Sequence, residues 1–262
     1  MKNSLVFILI IGILVACVAP SAGGPAVTEE RDVQGFENIR LTTSADITVE
    51  QGSNESVIVM GPEREVERIE TVVRGDTLII RSKQRFFFFS WSDSDNVDIQ
   101  ITIRTLNDLA ISGSGTATLS DIEARDLAVS VSGSGDIKAE ALVAETVEID
   151  VSGSGDIRVN ELVAEALDVG ISGSGDVEVD DGSAQAQAIH ISGSGTFDGE
   201  GVASQEAEVS VTGSGDVTLW VAENLNASIT GSGSISYYGQ PNIKQSTTGS
   251  GDIAGLGNRE RR

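Results

Sequence analysis

Cysteine, histidine and aromatic residues are scarce in this sequence. Among 262 residues, Cys17 and His190 are the only residues of their types, and aromatics make up 4% of the chain. One cysteine excludes an intramolecular disulfide and any zinc site built on several thiolates. One histidine likewise excludes a zinc site of several histidines. So few rings also argue against a core built on large aromatic side chains.

Basic residues are the next deficit. The chain has 17 Lys and Arg against 40 Asp and Glu, which gives a formal net charge of −23. A surface this negative repels the phosphates of nucleic acid, so we expect no nucleic-acid partner. The hydrophobic fraction of 39% is nevertheless too high for a fully disordered acidic chain. The composition therefore predicts a folded, acidic protein.

The longest apolar run lies near the first residue. It extends from Leu5 to Val15 and is too short to span a bilayer as a helix. It ends in Leu14-Val15-Ala16-Cys17, which resembles the lipobox of bacterial lipoproteins. The resemblance implies a signal peptide over residues 1–16, cleavage before Cys17 and attachment of lipid to its sulfur. An ordinary signal peptide with an incidental cysteine is the alternative.

The residues after the lipobox suggest how the protein is held. Residues 18–32 are small or polar, contain Pro and Gly, and show no hydrophobic periodicity. With the lipidated Cys17 they are predicted to form a flexible tether over 17–32. We therefore expect a protein of the bacterial cell envelope that faces away from the cytoplasm and contacts the membrane through its lipid.

The rest of the chain is a repeat. Ser-Gly-Ser-Gly or Thr-Gly-Ser-Gly occurs eight times, with five spacings of 20 residues and then two of 18. Apolar residues alternate on both sides of each motif, as Ile149, Val151 and Ile157 do around residues 152–155. Alternation with period two is typical of strands that bury one face. The repeats start at Ser112, Ser132, Ser152, Ser172, Ser192, Thr212, Thr230 and Thr248.

Units this short bury their apolar face only by stacking on one another. The sequence therefore predicts an all-β parallel β-helix, or β-solenoid, with rungs of about 20 residues over 108–256. Glycine corners would leave room where neighbouring rungs approach closely. Residues 33–107 are predicted to be an irregular β region that caps the solenoid, and 257–262 a tail. Helix propensity over 139–147 is a weak competing signal, because the pattern of leucine-rich strand–helix repeats is absent.

The order of these segments resembles a known family. Ile47-Thr48-Val49 precedes Gln51-Gly52, Leu78-Ile79-Ile80 follows Gly75-Asp76, and the strand from Val97 leads into repeated Ser-Gly-Ser-Gly-Asp. Over roughly residues 36–256 this resembles the bacterial head GIN domain family of "putative autotransporter adhesins". The resemblance implies a right-handed parallel β-helix, a surface or envelope location and a role in adhesion. It brings no catalytic residues.

An aspartate often follows the glycines of the corner. Stacked carboxylates about 5 Å apart repel each other, and a calcium ion could bridge them. Alternatively, each carboxylate accepts backbone N–H groups of its own turn. Thr116, Thr196 and Ser234 occupy the same column and favour the hydrogen-bonding role. We expect no metal or other cofactor, and a calcium-stabilised repeat module is the alternative. The aspartates are Asp136, Asp156, Asp176, Asp216 and Asp252.

Two aromatic groups are candidate contact sites. The first comprises Phe86, Phe87, Phe88, Phe89 and Trp91, and it would either cap the solenoid or form an exposed patch that contacts a membrane, a glycan or a surface protein. The second, Trp220 with Tyr237 and Tyr238, would either stack on a sugar or pack within the last rungs. His190 lies between two isoleucines of the apolar period, so it is expected to face solvent.

Catalysis is the remaining function class. From residue 105 to 257 there are 24 acidic and four basic residues. Lys138 and Arg158 share a repeat column and could flank Asp136 or Asp156, as a carbohydrate-active β-helix enzyme would require. The chain contains no nucleophile motif, phosphate-binding loop or nicotinamide fingerprint. We therefore expect a non-catalytic envelope or cell-surface lipoprotein with an adhesive, scaffolding or ligand-display role. The polysaccharide-active enzyme is the alternative.

Overall fold

The computed structural model describes residues 25–83 and 97–259. It is 73% strand and 2% helix, and it forms a β-solenoid of about eight turns with rungs of about 20 residues. The fold class predicted from the repeat is therefore confirmed. Within these two ranges, no helix is both long and apolar enough to cross a membrane.

The N-terminal region mixes parallel and antiparallel strands. β2 and β3 form a rung beneath β8 and β9, and β6 and β7 lie on the other side of that rung. β5 and β4 then pair antiparallel to β6 and β7, and β1 pairs antiparallel to β4. The elements are β1 (Ala26–Glu30), β2 (Asn38–Leu41), β3 (Asp46–Gln51), β4 (Ser56–Pro62), α1 (Glu63–Val66), β5 (Ile69–Arg74), β6 (Thr77–Ser82), β7 (Asp98–Ile103), β8 (Asp108–Ile111) and β9 (Thr116–Glu123).

Part of the predicted tether is ordered. Ala26–Glu30, which the sequence analysis assigns to the flexible segment 17–32, forms β1 against β4. Val27 packs against the core, whereas its neighbours Ala26 and Thr28 are exposed. The segment is too short for its alternation to stand out, and its backbone partner is supplied by a strand 30 residues further on.

The regular solenoid begins at β10. β11 to β15 each run almost once around the coil, and consecutive strands are paired in parallel. Asn160 and Glu165 are left out of the pairing of β12, and these gaps divide the turn into three faces, which comprise 157–159 (first face), 161–164 (second face) and 166–171 (third face). The strands are β10 (Asp126–Val131), β11 (Asp136–Val151), β12 (Ile157–Gly173), β13 (Val177–Gly193), β14 (Thr196–Gly213), β15 (Asp216–Gly231), β16 (Ser234–Tyr238), β17 (Asn242–Gly249) and β18 (Asp252–Gly257).

One continuous core fills the coil. In β12 the side chains of Ile157, Val159, Leu162 and Leu167 are buried, whereas those of Arg158, Glu161 and Glu165 are exposed. The run 139–147 is likewise strand, although its composition favours helix. Stacking places Leu142 and Val147 directly on equivalent residues of the next rung, and burial of these side chains outweighs the small helix propensity.

The corner glycines are required by the closeness of the rungs. A Cβ on Gly155 would lie 1.9 Å from the carbonyl oxygen of Gly135 and 2.8 Å from Cγ1 of Val131. Gly153 has a φ of +156°, and a Cβ there would lie 2.3 Å from the oxygen of Gly133. The same corner is bonded to the rung before it, because the N–H of Ser154 donates to Gly133 at 3.0 Å.

The repeat shortens by two residues where β14 meets β15. The register shifts between Gly199 and Ala203 and again between Ser204 and Glu206. The shortening falls on the second face, and it places Trp220 directly beside Ala203. The hydroxyl of Ser204, which is buried, donates to the carbonyl oxygen of Trp220 at 2.9 Å and stabilises this junction.

Candidate functional site

The aspartate column forms a ladder of hydrogen bonds between rungs. Oδ1 of Asp136 accepts the N–H of Asp156 at 3.1 Å, and Oδ1 of Asp156 accepts the N–H of Asp176 at 2.9 Å. Asp176 accepts from Thr196 at 2.8 Å, and Asp216 accepts from Ser234 at 3.1 Å. These carboxylates thus accept backbone N–H groups from the following rung, and not from their own turn.

The spacing of these aspartates is also relevant to whether they could bind a calcium ion. Each aspartate of the ladder is one or more rungs from the next, and Thr196 interrupts the column between Asp176 and Asp216. No group of three or more His, Cys, Asp or Glu side chains suited to a metal ion occurs in the part of the chain that the structure describes. The ladder gives a structural role to Asp136, Asp156, Asp176 and Asp216, whereas Asp252 belongs to the final rung.

Arg158 is held by acidic side chains of the next rung. Its Nη1 lies 2.8 Å from Oε2 of Glu178, and its Nη2 lies 3.0 Å from Oδ1 of Asp180. Lys138 is its neighbour in the same column. The arginine therefore forms surface ion pairs with Glu178 and Asp180. No ion pair between Arg158 and Asp156 occurs among the described residues.

The third face carries a cluster of like charges. Glu148 of β11 is paired with Asp168 of β12, and Asp150 lies two residues further along β11. The negative charge of Asp150 is the main reason that the pKa of Glu148 is raised above its ordinary value, and burial adds to the effect. This repulsion destabilises the fold at neutral pH, and any anionic ligand would meet it too.

A shallow groove of about 680 Å³ follows the third face towards the C-terminal rungs. Each of its two outward columns contains small residues, which leave space, as well as acidic or amide side chains. In the part of the chain that the structure describes, Lys244 is the one basic residue that lines this groove, and no aromatic residue lines it. The outward residues that line it include Ala166, Ala186, Ala188, Glu206, Glu208, Asn224 and Asn226.

A more distinctive depression lies on the second face. One outward column contains Val143, Val163, Ser183, Ala203 and Trp220 in consecutive rungs. Val143 and Val163 are 42% and 39% exposed, so this column is a solvent-facing stripe. The side chains shrink at Ser183 and Ala203 and become large again at Trp220. We call the resulting space the Trp220 trough.

The Trp220 trough comprises two adjoining cavities, of about 480 and 520 Å³, that share Ser183 and Trp220. The floor is made of small residues, including Gly182, Ala184 and Ala203. Carboxylates, amides and one arginine surround this floor. These polar lining residues are Glu161, Asp180, Asp181, Gln185, Gln205 and Arg259.

Arg259 brings a donor group to the trough. Its Nη2 lies 3.4 Å from Oε1 of Glu200, and its guanidinium carbon lies 5.8 Å from the centre of the Tyr238 ring. Its Nη1 is buried and has no hydrogen-bond partner among the described residues. A buried N–H group without a partner is costly, so this arginine is incompletely satisfied by the described residues.

The candidate residues fall in different places. Trp220 lines the trough, Tyr238 packs under Arg259, and Tyr237 is partly buried against the core. His190 is exposed, as its position in the alternation predicts. The predicted contact patch Phe86, Phe87, Phe88, Phe89 and Trp91 and the predicted lipidation site Cys17 lie outside the described residues.

Sequence reasoning did not find Val163, Ser183 or Ala203 as site residues. A signal was available, because the 20-residue period aligns them in one outward column. This signal does not locate the site by itself, because the 20-residue period does not relate Ala203 to Trp220. The register shift in β14 brings these two residues side by side.

The fold and the surface define the class of protein. This is a parallel β-solenoid whose candidate binding groups are outward columns and depressions on its faces. The chain belongs to the family described as "putative auto-transporter adhesin, head GIN domain", whose model matches residues 35–160 and 141–241. The resemblance noted in the sequence is thereby confirmed. No match was found among curated proteins.

Solved structures of other bacterial proteins share the fold. A "putative lipid binding protein" from Parabacteroides distasonis ATCC 8503 is 26% identical, with a TM-score of 0.82 over 89% of this chain and 97% of that one. A "putative adhesin" from Parabacteroides merdae ATCC 43184 is 22% identical, with a TM-score of 0.82 over 89% and 97%. A "putative adhesin" from Bacteroides fragilis NCTC 9343 is 24% identical, with a TM-score of 0.66 over 90% and 99%.

Proposed function

We propose that the protein is a non-catalytic adhesin of the bacterial cell envelope. It would be held to a membrane by lipid on Cys17 and would present the solenoid as a rigid, acidic ligand-binding surface. The observation that carries the proposal is the concave Trp220 trough on the surface of a hydrogen-bonded coil. Membership of a family described as adhesins supports the same role.

Rigidity is the physical advantage of this fold for adhesion. Each corner of the coil is bonded to the corner before it, as by the N–H of Ser174 to the oxygen of Gly153 at 2.9 Å. The surface side chains are thus held at fixed spacing before any ligand arrives. Less conformational entropy is lost on binding when the binding groups are already in place.

The order of the rungs fits anchoring at the N-terminal end. β1 begins nine residues after Cys17, and it lies beyond β4 at the N-terminal end of the coil. The Trp220 trough lies in the rungs of β12 to β15, towards the opposite end. A lipid on Cys17 would therefore leave the trough on the part of the coil more distant from the anchor.

Replacement of the lipidation residue tests the anchor. Cys17→Ser removes the only thiol that could receive lipid, so we expect loss of acyl labelling and release of the protein from the membrane fraction. Fractionation and labelling with a radioactive fatty acid measure both effects. Ser21→Ala, which lies in the predicted tether and leaves the signal peptide and Cys17 intact, is the control and should remain labelled. A Cys17→Ser protein that stays in the membrane fraction contradicts lipid anchoring.

Adhesion is tested with the complete lipidated chain in fluorescent vesicles. We expect these vesicles to be retained under flow on surfaces coated with neutral polysaccharide, glycoprotein or bacterial cells, more strongly than vesicles without protein. Equal retention of the two kinds of vesicle on every surface contradicts an adhesive role. Release of reducing ends from the polysaccharides would instead support the enzyme alternative.

A further inference from the structure

We propose that the Trp220 trough binds a neutral saccharide, with the indole of Trp220 as a stacking wall. This inference rests on the proposed adhesive function and names its ligand class and its site. It starts from three features of the described residues: the shape of the trough, its single aromatic side chain and the balance of charge around it.

The shape is that of a slot across the outward column of the second face. Val163 and Trp220 rise on either side of Ser183 and Ala203, so the gap covers three rung spacings, about 14 Å at roughly 4.8 Å each. Small side chains in the floor keep this gap open. Concave sites with few well-placed polar groups are typical of small-ligand binding.

The aromatic wall is held in place by its neighbours. The Trp220 backbone oxygen accepts the Ser204 hydroxyl at 2.9 Å, and the side chain lies in the column between Ala203 and Tyr238. An indole offers a flat apolar face with an N–H at its edge. A sugar ring has an apolar face of C–H groups and a rim of hydroxyls, so it can stack on the indole while its hydroxyls reach polar partners.

The polar groups around the floor suit hydroxyls. Glu161 and Asp181 accept hydrogen bonds, the amides of Gln185 and Gln205 accept or donate them, and the guanidinium of Arg259, which lines the trough, donates them. A hydroxyl both donates and accepts, so it can satisfy each of these groups. A hydrocarbon chain could satisfy none of them.

Charge favours a neutral ligand over an acidic one. Glu161, Asp180 and Asp181 line the trough, and among the described residues Arg259 is the one basic residue that lines it and is already close to Glu200. The whole chain carries a net charge of −23. A uronic acid or an anionic lipid headgroup would therefore be repelled, whereas an uncharged hexose or N-acetylhexosamine would not.

The natural fluorescence of Trp220 provides a direct assay. The chain has two tryptophans, so Trp91→Phe leaves Trp220 as the only one. The full chain carrying this change, purified in detergent, is titrated with oligomers of glucose, mannose, galactose and N-acetylglucosamine. We expect a saturable change of emission with at least one of these oligomers. We expect none with an oligogalacturonide or with vesicles of phosphatidylethanolamine and phosphatidylglycerol.

Two variants test the site itself, one by removing a large side chain and the other by adding one. Trp220→Ala removes the stacking wall, and Ala203→Leu fills the floor without changing the wall. Each should weaken binding of the same oligosaccharide, measured by calorimetry, at least about tenfold. Val143→Ala, in the same outward column but outside the trough, should leave the dissociation constant unchanged. Unfolding curves of all three variants show whether the fold is retained.

Several results would overturn the inference. They are the absence of binding by every neutral oligosaccharide, a larger change of Trp220 emission with the oligogalacturonide or the vesicles than with any neutral oligomer, and an unchanged affinity in a folded Ala203→Leu protein. The vesicle-retention assay separates this failure from failure of the adhesive function. Retention that persists in the Trp220→Ala protein would place adhesion elsewhere on the solenoid, whereas no retention by the unaltered protein would contradict adhesion itself.

Discussion

Replacement of Gly155 by alanine is the most direct test of how the coil is held together. The added Cβ would lie 1.9 Å from the carbonyl oxygen of Gly135. Carbon and oxygen atoms that are not bonded rarely approach within about 3 Å, so the two rungs would have to separate by roughly 1 Å at this corner. The N–H of Ser154 donates to Gly133 in the same corner, and this bond would lengthen as the rungs part.

The expected loss in the free energy of unfolding follows from the steric clash and from the lengthened hydrogen bond. Overpacking of a well-packed interior costs about 1–3 kcal/mol, and weakening of one backbone hydrogen bond adds about 0.5–1.5 kcal/mol. The Gly155→Ala protein should therefore be less stable by about 2–4 kcal/mol. Urea unfolding followed by far-ultraviolet circular dichroism would show this loss as a lower midpoint at an unchanged slope.

Two matched glycines separate steric from conformational effects. Gly75 has a φ of +65° with open space around it, so Gly75→Ala tests backbone strain alone, at about 1–2 kcal/mol. A Cβ on Gly170 would meet only Oδ1 of Asp150, the end of a flexible side chain, so Gly170→Ala should change stability by less than about 0.5 kcal/mol. A Gly155→Ala protein no less stable than the Gly75→Ala protein would refute the close-packing argument.

Two further predictions concern the carboxylates. Asp156→Ala should cost about 1 kcal/mol because the N–H of Asp176 loses its acceptor, whereas Asp156→Asn should cost little, with or without calcium. Calcium that raises the melting temperature of the unaltered protein but not of Asp156→Asn would favour the calcium alternative. Asp150→Asn should stabilise the fold by about 0.2–1 kcal/mol at pH 7. Since Asp150 raises the pKa of Glu148, this gain should vanish as Glu148 becomes protonated at acidic pH; a gain that persists there contradicts it.

Much of the architecture follows from the repeat in the sequence. The spacing of Ser-Gly-Ser-Gly gives the rung length, and alternation around it identifies buried residues such as Ile157 and exposed ones such as His190. This works because a coil of identical rungs places residues 20 apart in direct contact. Equivalent positions of successive rungs therefore share the same burial, and each copy of the repeat supports the same prediction.

The sequence is less informative about which backbone groups pair. Its composition predicts a tether where β1 lies, because the partner strand β4 is remote in sequence and antiparallel. Local turn chemistry offers the aspartates donors of their own turn, whereas stacking supplies donors from the following rung. Both outcomes depend on which backbone groups lie alongside each other, and local sequence does not determine that.

The sequence by itself determined that this is an acidic, all-β solenoid of a recognisable family. Its repeat, its glycine corners and its apolar alternation are each visible without coordinates. Only the tertiary structure decided where the candidate binding site lies. The Trp220 trough exists because a register shift in β14 sets Trp220 beside Ala203 and because Arg259, near the end of the chain, folds back on these rungs. Such contacts join residues that no sequence period relates.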